Sequence, residues 1–127
     1  MIERRHPTEL YAIELEKARA ALSSLLKART APINEISCAA IRIKELEVRL
    51  ASARFAQAEY FLDTLKARVG YLEARGSRPD PSTITEQQEL EWAREALPAN
   101  ATALARLSED LARCREELRA LLAQTAA

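Results

Sequence analysis

Apolar side chains recur along this chain at alternating steps of three and four residues, the signature of helices that each turn one face toward a partner. Tyr11, Leu15, Ala18, Leu22 and Leu25 make a first stripe. Ile36, Ala39, Ile43, Leu46 and Leu50 make a second, and Cys38, Ile41 and Val48 widen it on a neighbouring face. A surface that wide calls for two partner helices. Ala58, Phe61, Leu65, Val69 and Leu72 then form a narrower stripe, for which one partner suffices. The cleanest heptad comes last, in Leu104, Leu107, Leu111, Cys114, Leu118 and Leu121.

The punctuation between these stripes sets the elements. Pro7 suits a helix start and Thr8 is a capping residue, whereas Pro32 restricts Ala31 and ends that helix near Arg29 or Thr30. Asn34 is the expected N-cap of the second helix, with Ile33 outside it as a hydrophobic staple. Gly70 weakens that helix without stopping it. Gly76, Pro79 and Pro81 do stop it, and Thr83 with Glu86 has capping-box spacing for a restart. Pro98 either kinks or breaks the restarted helix, with Asn100 available to cap a new segment.

The pattern predicts one helical domain over residues 1–127, with helices at about 8–30, 34–75, 83–97 and 99–124 and a loop at 76–82. The fold class is all-α. Two arms of similar length, roughly 60 Å each at 1.5 Å per residue, fold into a long antiparallel, coiled-coil-like helical hairpin. The shorter N-terminal helix lies beside the wide stripe and makes a three-helix bundle at one end. At the other end, residues 56–97 are left as two helices.

Composition agrees with helices: 30 % of residues are charged and there are only two glycines. Arginine outnumbers lysine and alanine is abundant, a codon-usage association with GC-rich bacterial or phage genomes. Lys plus Arg equals Asp plus Glu at 19 each, so net charge points to neither a nucleic acid nor an anionic membrane. No run approaches the 18 or so apolar residues that span a bilayer, and two cysteines without a leader sequence suggest a reduced, cytoplasmic protein. Cys38 and Cys114 fall about two turns out of register between the arms, so no disulfide is expected.

Candidate chemistry is sparse. The one histidine, His6, reads as a solvated tail residue, and pairs such as Glu45 with Arg49 or Glu109 with Arg113 have the spacing of helix-surface ion pairs. No ligand spacing suggests a metal, and no cofactor, small-molecule substrate or enzymatic activity is expected. Arg42, Arg49, Arg68 and Arg75 recur at multiples of seven, but interleaved acids make this a mixed-charge face and nucleic acid an unfavoured partner.

Aromatic placement is less ordinary. Phe55, Tyr60, Phe61, Tyr71 and Trp92 all fall in or beside the two-helix end, where Phe61 and Trp92 are expected to enter the seam. Tyr60 and Tyr71, eleven apart, lie on an adjacent face that a third helix would normally cover. Glu86, Glu89, Glu91 and Glu95 make the neighbouring helix acidic and suited to a basic partner. The sequence therefore suggests a non-enzymatic protein-interaction module, a homodimer or a docking partner, acting through residues 55–97 with Tyr60, Tyr71, Trp92, Glu89 and Glu95 at the contact. A small phage or mobile-element inhibitor that occludes a host enzyme, such as a defence nuclease, is an alternative, and a nucleic-acid-binding hairpin a second.

Overall fold

A computed structural model of the protein describes residues 6–28, 30–75 and 81–126. It is all-α, with three helices in the order α1 (Pro7–Lys27), α2 (Ile33–Arg75) and α3 (Pro81–Ala126). The described residues contain no strand.

The helix starts differ in detail from the sequence expectation. Pro7 opens α1, so the cap falls one residue earlier on His6, whose backbone is extended (φ −62°, ψ 143°). Its Nδ1 accepts a hydrogen bond from the Thr8 amide at 3.2 Å, so the ring does the work assigned to Thr8 and is no loose tail residue. The Pro32 carbonyl accepts from the amides of Glu35 and Ile36 at 3.0 and 3.3 Å. Pro32 thereby takes the capping place expected of Asn34, and Ile33 starts the helix with its side chain 79 % exposed, not stapled. At the other end of α1, the Ala28 amide donates to the Ser24 carbonyl, and Arg29 lies outside the described residues.

The start of α3 also moves. It begins at Pro81, a good first helical residue, which places it two residues ahead of the Thr83–Glu86 capping box. The remainder of the expected loop, residues 76–80, lies outside the described residues. The choice left open at Pro98 is resolved in favour of continuity, because α3 runs through it as one helix. Proline removes the amide hydrogen bond to the residue four before it. In the next turn the Asn100 side-chain amide donates to the Ala96 carbonyl at 2.8 Å, and the Thr102 hydroxyl donates to the Pro98 carbonyl at 3.0 Å.

The protein divides into two compact units, Met1–Arg54 with Ser108–Ala127, and Phe55–Leu107. In the first unit, Leu15 of α1 packs with Ile43, Leu46 and Leu50 of α2, and Tyr11, Ala12, Ala18 and Leu22 close around them. Arg19 reaches Glu47 from α1 at 3.3 Å, while Lys44 reaches Glu117 of α3 at 2.8 Å. All three helices therefore contribute, and the wide stripe on α2 has the two neighbours it needs. Leu111 is buried, Cys114, Leu118 and Leu121 are half-buried, and both cysteines are free thiols, with Cys38 exposed.

The second unit has two helices. Leu65 and Val69 of α2 pack on Ala93 of α3, flanked by Leu90, Ala96 and Leu97. The pairings Arg75 with Glu86, Glu73 with Arg94 and Arg68 with Glu89 show the segments antiparallel. The seam differs from the expected one. Leu62 is buried at 5 % exposure, whereas Phe61 is 49 % and Trp92 59 % exposed. Ala93, only 1 % exposed, takes the seam position on α3 next to Trp92, packed on Leu65 and Val69.

Several surface ion pairs also choose other partners. Glu45 approaches Arg42 at 4.0 Å and not Arg49, and Arg113 approaches Asp110 at 3.4 Å and Glu117 at 3.9 Å, not Glu109. Such exposed pairs contribute a few tenths of a kcal/mol, so little depends on which neighbour is chosen.

Candidate interaction surface

The second unit presents two flanks, one on each side of its α2–α3 seam. The 3.6-residue period puts Phe61, Thr64, Arg68, Tyr71 and Arg75 in a row along one side of α2. Arg68 forms a two-pronged ion pair with Glu89, Nε to Oε1 at 2.7 Å and Nη2 to Oε2 at 3.1 Å. That contact identifies the matching row on α3 as Glu89, Trp92, Ala96, Ala99 and Ala103. The opposite flank carries Glu59, Asp63, Lys66, Gly70 and Glu73 on α2, joined through Glu73 to Arg94 of α3 at 2.8 Å. One flank is aromatic and the other charged.

Tyr71 anchors the aromatic flank. The guanidinium carbons of Arg68 and Arg75 lie 5.3 and 5.6 Å from its ring centroid, inside cation–π range. Arg75 Nη1 also donates to the Tyr71 hydroxyl at 2.7 Å, and Arg75 Nη2 lies 3.6 Å from Glu86. The hydrogen bond Arg75 donates to the Tyr71 hydroxyl raises the Arg75 pKa above its ordinary value, and the bond to Glu89 does the same for Arg68. Arg68 in turn holds the Glu89 carboxyl below its ordinary value.

The residues singled out from sequence are only partly brought together. Tyr71, Trp92 and Glu89 share the aromatic flank, with Tyr71 48 % exposed. Tyr60 is 75 % exposed and sits at the flank's margin, its carbonyl accepting from the Thr64 hydroxyl at 2.8 Å. Glu95 is exposed one turn beyond Trp92, on the outer face of α3. Glu86 and Glu89 already pair with Arg75 and Arg68, so two of the four acids expected to attract a basic partner are neutralised within the unit. Phe61 belongs to the surface and was assigned to the seam. Its neighbour Leu62 is the signal for that, since both fit the same three-four spacing.

No other chemistry emerges among the described residues. No three His, Cys, Asp or Glu side chains group as metal ligands would, and no helix is long and apolar enough to cross a membrane. No buried side-chain polar atom among them lacks a hydrogen-bond partner. Comparison of the chain with protein-family models, with the curated proteins and with the solved structures finds no match. The class defined by fold and surface is thus an all-α, three-helix protein with an aromatic flank on its two-helix unit.

Proposed function

We propose that this is a non-enzymatic, cytoplasmic protein-interaction module that binds through the two-helix unit. The observation carrying the reading is the exposure of Tyr60, Phe61, Tyr71 and Trp92, between 48 % and 75 % each, within one unit. Together four such rings leave roughly 500 Å² in water, in the size range where a protein's largest apolar patch is often functional. Tyr and Trp are typical interface anchors, and an arginine stacked on a tyrosine holds that ring in place before a partner arrives. A phosphate-binding reading gains nothing, since Arg42, Arg68 and Arg75 each sit beside a glutamate.

Hydroxyl-radical footprinting tests the reading, performed on the purified chain at high dilution and again in lysate of its source cells. Protection of Phe61, Tyr71 and Trp92 in the lysate is expected. Equal labelling of these rings under both conditions, or protection confined to the three-helix unit, overturns it.

A further inference from the structure

The aromatic flank has the properties of a surface that pairs with itself. In a two-fold contact the same patch appears on both sides, so a patch with net charge repels its copy. Here the charges cancel inside the patch, Arg68 against Glu89 and Arg75 against Glu86. On the opposite flank Glu59, Asp63 and Glu73 outnumber Lys66 and Arg94, so that surface would repel itself.

Shape points the same way. Large rings at Phe61, Tyr71 and Trp92 alternate along the flank with small side chains at Thr64, Ala96, Ala99 and Ala103, of which all but Ala96 are exposed. A two-fold contact whose axis sets the rings of one copy over the small residues of the other would interdigitate as facing helix surfaces do. The area is also commensurate. Phe61, Tyr71 and Trp92 expose roughly 350 Å², a little under half of the 800 Å² or so that each partner buries in a stable pair. The flanking alanines, Thr64 and the arginine stems add to that figure.

We propose that the partner of the aromatic flank is a second copy of this chain. Two copies meet through Phe61, Thr64, Arg68 and Tyr71 of α2 with Trp92, Ala96 and Ala99 of α3, and their two-helix units form a four-helix contact. The proposal rests on the interaction reading above and narrows it to one occupant.

Sedimentation of the full purified chain from submicromolar to high micromolar concentration tests it, beside the variants Phe61→Glu, Trp92→Glu and Lys66→Glu. A dimer at micromolar concentration is expected, weakened roughly 30-fold or more by each aromatic variant and unchanged by Lys66→Glu. Circular dichroism checks that helicity persists in the variants. Emission from the chain's single tryptophan gives a readout on the unmodified protein, with a red shift expected on dilution through the dimer range. A monomer throughout the range overturns the proposal. So does a dimer that tolerates both aromatic substitutions, or that responds to Lys66→Glu as strongly. A monomer whose rings are nevertheless protected in lysate leaves the interaction reading standing with a different protein as partner, whereas a monomer with unprotected rings removes both.

Discussion

The two units contain segments of the same two long helices, and among the described residues each leaves four large apolar side chains exposed, but of different kinds: Leu10, Leu26, Ile33 and Leu122 in the first, Tyr60, Phe61, Tyr71 and Trp92 in the second. In the first, α1 adds Tyr11, Leu15, Ala18 and Leu22 to the face of α2 that carries Ile43, Leu46 and Leu50, and the large side chains at this contact are buried or half-buried. In the second, Leu62, Leu65, Val69, Leu72 and Ala93 close the seam while four aromatic rings stay outside it. Two helices can each hide one stripe from the other, but a second apolar row on either needs a third element. Helix count alone does not separate the two units, since both keep exposed apolar side chains; the aromatic character of those in the second is what calls for a functional account.

Breaking the three-helix unit at its most buried leucine should have the largest effect. Leu46, at 2 % exposure, lies in the α1–α2 contact, and Leu46→Ala is expected to cost roughly 3 to 4 kcal/mol, combining lost transfer energy and the cavity left behind. Chemical denaturation measures the loss. Hydrogen exchange then localises it, with amides of α1 expected to lose more protection than those near Val69. Equal loss in both units would mean that the two do not differ in how they hold themselves together.

A substitution in the other unit is expected to act in the opposite direction. Pro98 lies inside α3, where a proline disfavours the helix by about 3 kcal/mol relative to alanine before any local compensation. Because the helix continues through it, Pro98→Ala should raise stability by about 1 to 3 kcal/mol, read as a higher denaturation midpoint. A fall would show that proline at this position is needed to keep Leu97 and Leu104 on the α2 side.

How much of this was legible in the sequence depends on what periodicity can and cannot encode. The stripes 11–25, 36–50 and 104–121 are buried or half-buried at every position, as their three-four spacing predicts. The seam of the second unit departed from its predicted stripe. Ala58 to Leu65 is bridged equally well through Phe61 or Leu62, and local spacing does not decide between them. The candidate surface was legible as a concentration of aromatics, with Tyr60 and Tyr71 exposed as expected and Trp92 outside the seam it was expected to enter. Its charge balance was not, since the pairing of Arg68 with Glu89 and Arg75 with Glu86 depends on the register between α2 and α3. His6 as a cap was missed because histidine is not among the usual N-cap residues, although an acceptor just before Pro7 was a usable signal.

A smaller gain is expected at Gly70. It lies within α2, and a Cβ built there meets no atom within 4 Å. Gly70→Ala should therefore stabilise the protein by about 0.5 to 1 kcal/mol through helix propensity alone, measured by thermal or chemical denaturation. The site belongs to the charged flank, so the change should leave self-association untouched in sedimentation. A loss of association would place the contact on the wrong side of the unit.

The smallest effect is expected from pH, and it bears on both units in parallel. Arg68 holds Glu89 below the ordinary carboxylate pKa in the second unit, and Lys44 does the same for Glu117 in the first, each chiefly through a direct hydrogen bond. A carboxyl whose folded pKa is depressed binds a proton more readily when unfolded, so its contribution is complete above the unfolded value of about 4.3. It is lost as pH falls through the folded value. Lys44 has the opposite sense: its pKa is raised by the hydrogen bond to Glu117, so its contribution is complete below about 10.4 and fades only above that. Between these limits the pairs should make stability nearly independent of pH. Below about pH 4.3 the melting temperature should fall, and Glu89→Gln should flatten the part of that decline due to the second unit. Both carboxylates are at the surface, where solvent and salt screen the interaction, so the slope should shrink further in high salt. A decline that salt does not reduce would assign acid sensitivity to groups other than these two ion pairs.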